Sequence, residues 1–278
     1  MSVSGKAMVA GVVGRPIVHS LSPRLHNAWI SAAGLDAAYV PFAPAEDGFA
    51  RLVGGLRGGA VRGLNVTVPF KEAALALADQ ADAASTAAGA ANLLLFHADG
   101  SVAARNTDGI GLLAAFAEQA SMTDLRAGPV VLLGAGGAAR GAAAALRAAG
   151  VGALRIVNRS LDRAERLAEA FHAAAFGLDR AEEAFDGANA IIHTTSAGLT
   201  GEALDWPLDA APPAAAVMDM VYKPLITPLL SKAQARGMPV VDGLAMLIGQ
   251  ARPSFAAFYG IEAPASVDAR ALLLETLR

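Results

Sequence analysis

The stretch Gly-Leu-Asn-Val-Thr-Val-Pro-Phe-Lys-Glu, residues 63 to 72, alternates polar with β-branched residues until Pro69, where a helix-forming run opens. It delivers an amide (Asn65), a hydroxyl (Thr67) and an amine (Lys71) to the end of an apolar segment. Taken alone, the window also suits a plain strand with one solvated face and a lysine in the next helix turn. An ammonium beside short hydrogen-bonding groups, however, can stabilise developing negative charge on a substrate oxygen and give it a proton. Asp108 precedes an apolar helix, where a carboxylate can either cap the helix or fix such a lysine in place.

A second constellation has the pattern of a phosphate-binding turn. Val-Val-Leu-Leu-Gly-Ala-Gly-Gly-Ala-Ala-Arg, from residue 130, reads as strand, glycine turn and helix. Gly134, Gly136 and Ala139 fill the G-x-G-x-x-G/A positions of a dinucleotide site. The first permits the turn, the second lets backbone approach a pyrophosphate, and a small third residue lets the helix lie close to the strand. The helix amides, with Ala135, Gly137 and Ala138 around them, then face the phosphates. After the next strand an NAD-preferring chain would place an acid for the ribose hydroxyl. Here that position reads Asn158-Arg159-Ser160, with Arg163 one turn on. Guanidinium forks match phosphate oxygens, so the pattern favours NADP.

The elements that position these groups form two alternating stretches. The first has strands at 7–13, 38–42 and 64–68, helices at 23–33, 48–56 and 72–78, and a hairpin of 91–96 with 101–104 around Asp99-Gly100. The second has a helix at 108–120, strands at 130–133, 153–157, 190–193, 217–220 and 239–241, and helices at 138–148 and 161–171. The tail from Leu244 is helical. Alternation at this spacing predicts an α/β fold of βαβ units and parallel sheets.

Composition narrows the function. With 54% hydrophobic and 17% charged residues there is material for cores, and a length of 278 residues suits two domains. The mean hydropathy of +0.43 owes much to alanine. Even the longest uncharged window, Ala83 to Ala98, contains Ser85, Thr86, Asn92 and His97, so no membrane span is expected. A net charge of −3 gives no footprint for nucleic acid. Zero cysteines exclude disulfides and thiolate chemistry and suit a cytoplasmic setting. The five histidines lie apart, without the spacing of a helical metal site, so no metal is expected.

Eight motifs in order resemble the shikimate dehydrogenase family nearly end to end: GRPIVHSLSPRLHN (14–27), GLNVTVPFKE (63–72), GAAN (89–92), NTDGIG (106–111), GAGGAA (134–139), NRSLDRAERLA (158–168), DMVYKPLITPLL (219–230) and GLAMLIGQ (243–250). The resemblance implies an N-terminal α/β substrate domain over 1–107 and 243–278, the C-terminal helical segment packing back on it. A Rossmann-like NADP domain would span 108–242. It implies reversible NADPH-dependent reduction of 3-dehydroshikimate to shikimate, on the path to chorismate and aromatic amino acids, by a monomer or homodimer. Carried over by position, Lys71 and Asp108 would be catalytic. Ser20, Ser22, Asn65, Thr67, Asn92, Asp108, Tyr222 and Gln250 would hold the substrate's carboxylate and hydroxyls. Gly134, Ala135, Gly136, Gly137, Ala138, Asn158, Arg159, Ser160, Arg163, Met220 and Gly243 would line the cofactor.

Two positions depart from the family pattern. His193 opens the stretch HTTSAG where an Asn is usual, and Leu93 follows Asn92 where a threonine is common. Two other functions compete with this one. A quinate/shikimate dehydrogenase of broader use is disfavoured by Asn158-Arg159 and by the serine at 22. An inactive NADP-binding sensor is disfavoured by the intact Lys71 and Asp108.

Overall fold

The computed structural model describes residues 3–59, 61–195 and 204–277, and two compact units emerge. One comprises Met1–Asp108 with Gln250–Thr276, the other Gly109–Gly249. The helix Gly243–Tyr259 carries the chain from the second back to the first.

In the first unit the strands are β1 (Met8–Val13), β2 (Ala37–Phe42), β3 (Val61–Val66), β4 (Gln80–Ala81), β5 (Leu93–Phe96) and β6 (Val102–Arg105). They form one mixed sheet in the order β2-β1-β3-β5-β6-β4. β1 lies parallel between β2 and β3, whereas β5 runs antiparallel to β3 and β6. Side chains alternate across a strand, and β3 uses both faces. On one side lies the returning tail: a Cβ at Gly63 would fall 2.7 Å from the Phe258 ring. Trp29 of helix α1 (Ser22–Ala32) meets Phe255 edge to face there at 5.5 Å. Leu64 and Val66 point the other way and join a core with Val13, Leu94, Phe70 and Phe49 of helix α2 (Phe49–Leu56). The two phenylalanine rings of that core stack at 4.6 Å. Asn65 therefore shares the face of Gly63.

The second unit holds β7 (Val130–Leu133), β8 (Leu154–Val157), β9 (Ala174–Phe176), β10 (Ala190–His193), β11 (Ala216–Asp219) and β12 (Val240–Val241). All are parallel, in the order β12-β11-β10-β7-β8-β9. Such a sheet is covered on both faces, so its strands read as unbroken apolar runs. Val130 and Leu132 face one core with Phe116, Leu146 and Ile156. Val131 and Leu133 face another with Phe185, Trp206 and Leu230. Strand order reverses between β7 and β10, the switch point where open α/β sheets take ligands at their carboxyl ends.

The elements read from sequence are present, with shifts at their ends. The third strand runs Val61–Val66 rather than 64–68, because Thr67 to Phe70 form a turn closed by the Phe70 amide on Thr67 O. Lys71 then opens α3 (Lys71–Leu77). The next helix, α4 (Ala83–Ala88), is hidden in alanine, though Asp82 caps it through the Ser85 amide. The helix Pro228–Ala235 is also absent from the sequence reading, despite a Thr227 cap and proline at its start. No helix among the described residues is long and apolar enough to cross a membrane.

Candidate active site

Lys71 is the first residue of α3, placed there by the turn that ends β3. Its Nζ donates to Asp108 Oδ2 at 2.6 Å, with both side chains partly exposed (30% and 22%). Asp108 opens α5 (Asp108–Gln119). Its other oxygen, Oδ1, accepts from Asn92 Nδ2 at 2.8 Å, and its amide donates to Asn106 Oδ1. The carboxylate is thus spent on Lys71 and Asn92 rather than on capping its own helix. Charge-assisted hydrogen bonds of this kind are short and hold geometry well.

Asn92 is the centre of this cluster. Its Oδ1 accepts the Thr107 amide at 2.8 Å, and its Nδ2 also approaches Thr107 Oγ1 at 3.0 Å and Gln250 Oε1 at 3.5 Å. Thr107 Oγ1 reaches Gln250 Oε1 at 3.3 Å. Asn65 is tied in below, donating to Ser254 Oγ at 2.8 Å and to Asn92 O at 3.3 Å. Five of the residues expected from sequence, Lys71, Asp108, Asn92, Asn65 and Gln250, therefore share one hydrogen-bonded network. Thr107, Ser254 and Tyr39 belong to it too and were not read from sequence. Thr107 lies inside the Asn-Thr-Asp-Gly motif and could have been; nothing flagged the other two.

Ser20 and Ser22 stand at the start of α1, the Ser22 amide on Ser20 Oγ at 3.3 Å. Thr67 lies beside that loop: a Cβ at Gly14 would fall 2.4 Å from its methyl group, and the Arg15 amide bonds Val68 O. Tyr222 instead follows β11 in the second unit, partly exposed.

The glycine turn leaves β7 as expected. Gly134 has φ +114, and a Cβ there would meet Thr194 Oγ1 and Thr195 Cγ2 within 3 Å, so only glycine fits. Helix α6 (Gly137–Ala148) starts directly after it, with no acidic residue in its first turn. Gly136 to Ala138 are exposed, and added Cβ atoms at Gly136 and Gly137 would meet nothing. An open cradle of amides therefore stands at a helix start at the sheet's switch point, which suits a pyrophosphate. Past β8, Asn158 Nδ2 bonds Ser160 O, while Arg159, Ser160 and Arg163 are exposed at the start of α7 (Leu161–Phe171). Met220 and Gly243 abut, since a Cβ on Gly243 would lie 2.4 Å from Met220 O.

Residues 12–94 match the family model of the shikimate dehydrogenase substrate binding domain, and residues 116–200 that of shikimate / quinate 5-dehydrogenase. The chain is 56% identical over 279 residues to the shikimate dehydrogenase (NADP(+)) of Caulobacter vibrioides (strain NA1000 / CB15N), covering 99% of this chain and 98% of that protein. The chain belongs to the shikimate dehydrogenase family. It is 42% identical to the enzyme of the same name from Paramagnetospirillum magneticum, over 98% of this chain and 100% of that protein. Among solved structures, shikimate 5-dehydrogenase from Thermus thermophilus, in complex with NADP(H) and shikimate, superposes with a TM-score of 0.86. It is 35% identical, covering 96% of this chain and 99% of that one. Quinate dehydrogenase from Corynebacterium glutamicum in complex with NAD has a TM-score of 0.88 at 27% identity, covering 97% of this chain and 99% of that one.

Within this shikimate dehydrogenase fold the two departures have clear settings. Leu93 is fully packed in β5, so its place carries core rather than polar chemistry. His193 closes β10, its Nε2 2.9 Å from Thr195 Oγ1. Its Nδ1 lies 3.2 Å from Asp219 Oδ1 but out of line for a hydrogen bond. That aspartate is instead satisfied by the Val221 amide and the Thr227 hydroxyl. Ser196, Ala197 and Gly198 of the His193 stretch lie outside the described residues. No group of three or more His, Asp or Glu among the described residues could hold a metal.

Proposed function

We propose that this chain catalyses the reversible NADPH-dependent reduction of 3-dehydroshikimate to shikimate, the step of chorismate and aromatic amino acid biosynthesis that its family performs. It is an NADP-dependent oxidoreductase acting on a CH–OH group. The observation that carries the mechanism is the 2.6 Å contact of Lys71 Nζ with Asp108 Oδ2, beside a cluster of amides and hydroxyls. NADPH held at the glycine turn would supply the hydride for the substrate's carbonyl carbon. Lys71 stabilises the negative charge that then gathers on the carbonyl oxygen and gives that oxygen a proton; in the oxidising direction it takes the proton back. Asp108, held by Asn92, keeps Nζ in place. Ser20, Ser22, Asn65, Thr67, Asn92, Tyr222 and Gln250 bind a small ring with one carboxylate and three hydroxyls. Such a ligand needs short donors and acceptors at high density.

The amides of Gly134 to Ala138 take the pyrophosphate, and Arg159 and Arg163, with Asn158 and Ser160, read the 2′-phosphate. Met220 and Gly243, which abut, would line the cofactor. On this reading residues 1–107 and 243–278 form the substrate domain and 108–242 the NADP domain. The protein works in the cytoplasm as a monomer or homodimer, without nucleic acid or membrane. Initial rates followed by the absorbance of the reduced nicotinamide test the reading, with shikimate against quinate and NADP against NAD. The pair shikimate and NADP is expected to give the highest kcat/KM. Comparable turnover of quinate with NAD would favour the broader enzyme, and no turnover with any pair would sink the assignment.

A further inference from the structure

The motif ending Ser-Pro-Arg-Leu-His-Asn, residues 22–27, contributes two serines to the proposed substrate site, but its last two residues face elsewhere. Both act on Tyr39. Asn27 pins its backbone, accepting the Tyr39 amide at 3.1 Å and donating to Tyr39 O at 2.8 Å. His26 stacks on its ring at 4.1 Å and 12° between planes. Both ring nitrogens of His26 lack a hydrogen-bond partner. It therefore holds the phenol by contact and does not compete for its hydroxyl. In the sheet, Ala10 and Gly63 stand in register beside Tyr39. Ala10, between Tyr39 and Gly63, is small enough for the tyrosine to reach across β1 toward β3, while the Phe258 ring covers Gly63.

At the end of that reach Tyr39 donates its hydroxyl to Asn65 Oδ1 at 2.8 Å. The amide's orientation is unambiguous, because Asn92 O, a carbonyl, can only accept from its other end. Ser254 confirms it, accepting from Asn65 Nδ2 while its own hydroxyl turns to Gln250 O. We infer that Tyr39 is a positioning residue for substrate binding, its hydroxyl fixing the Asn65 amide from behind while Ser254 fixes it from the side. Burial raises the phenol's pKa well above its ordinary value, so it stays a donor at every pH at which the protein works. A buried amide oxygen stripped of its donor turns to find another, or stays unsatisfied at a cost. In either case Asn65 is no longer presented in one orientation.

The inference rests on Asn65 being a substrate ligand, and the experiment separates the two claims. Tyr39→Phe keeps the ring that His26 stacks on and removes only the hydroxyl. It is expected to raise the KM for shikimate roughly 5- to 30-fold, the size of one such hydrogen bond. The kcat and the KM for NADP should stay within about twofold, as positioning of the ground-state ligand alone implies. Ser254→Ala, acting on the same amide from the tail, should move KM in the same direction, and it serves if Tyr39→Phe fails to fold. In an Asn65→Ala background the effect of Tyr39→Phe should vanish, because the group it acts through is gone. A raised KM in Asn65→Ala with an unchanged KM in Tyr39→Phe and Ser254→Ala overturns the inference alone. An effect of Tyr39→Phe that persists in full without Asn65 overturns it as well. An unchanged KM in Asn65→Ala removes Asn65 from the substrate site and the inference with it.

Discussion

Lys71 and Asp108 lie 37 positions apart in sequence, yet their contact is the shortest in the network they share. Replacing Lys71 with methionine keeps the length of the side chain and removes its charge and protons. Lys71→Met is expected to fold and to lose roughly 10²–10⁴-fold in kcat, with little change in shikimate binding. A variant keeping over half the activity would take Lys71 out of the mechanism. At the other constellation, Arg159 has no acid in the place where an NAD enzyme would carry one. Arg159→Ala is expected to weaken NADP by one to two decades, from one charge-assisted hydrogen bond of about 1.5–3 kcal/mol, and to leave NAD nearly untouched. Equal losses with both cofactors would show that it does not read the 2′-phosphate. These residues were legible because their chemistry is stated by type and neighbours. Tyr39 and Ser254 were not. Tyr39 sits in an apolar strand and Ser254 in an apolar helix, and their roles exist only once Asn65, 189 positions from Ser254, is folded between them.

Among the elements, period and punctuation carried most of the reading. Val130–Leu133 and Ala190–His193 are fully buried strands whose apolar runs announce themselves, and glycines end or begin the helices around them. Short elements were harder. β9 has three residues, β4 only two, and α4 is alanine-rich, so neither period nor composition marks them. The packing of α1 on β2 was equally illegible, and it predicts a pH dependence. His26 is enclosed by Trp29, Tyr39, Phe255 and Phe258, none of them charged. Desolvation pushes its pKa down to about 3 from 6.5. Between those values the unfolded chain binds a proton that the folded chain refuses, so stability is complete above about pH 6.5 and declines as pH falls toward 3. The slope is about 1.4 kcal/mol per pH unit, or about 2 kcal/mol between pH 6.5 and pH 5, before most carboxylates titrate. Urea unfolding of wild type and His26→Phe at these two pH values measures it. The variant should lose about 2 kcal/mol less, and parallel losses would mean that His26 accepts a proton in the folded state.

For the molecule as a whole, the two units differ in how the chain builds them. Gly109–Gly249 is continuous and has both cores of its six-stranded sheet within itself. Its end is also anchored: Gln119 and Asp242 exchange two hydrogen bonds, and Asp242 caps the following helix through the Ala245 amide. The other unit is split, and Met1–Asp108 alone lacks the tail that supplies Phe255 and Phe258 to the face carrying His26, Trp29 and Tyr39. Losing a buried phenylalanine costs about 3–5 kcal/mol, against a total stability of about 5–15 kcal/mol for a domain. Two such losses, with the Ser254 bond, come to about 7–11 kcal/mol, most of that total. The fragment 109–249 is therefore expected to give a cooperative thermal melt by circular dichroism, and 1–108 to give none until the segment 250–276 is joined to it. The folded fragment 109–249 should also stay on a resin carrying 2′-phosphorylated adenosine and be displaced by NADP but not by NAD. A cooperative melt of 1–108 by itself would show that the tail is dispensable to its core. A folded 109–249 that ignores the resin would mean that the glycine turn and Arg159 do not make a cofactor site on their own.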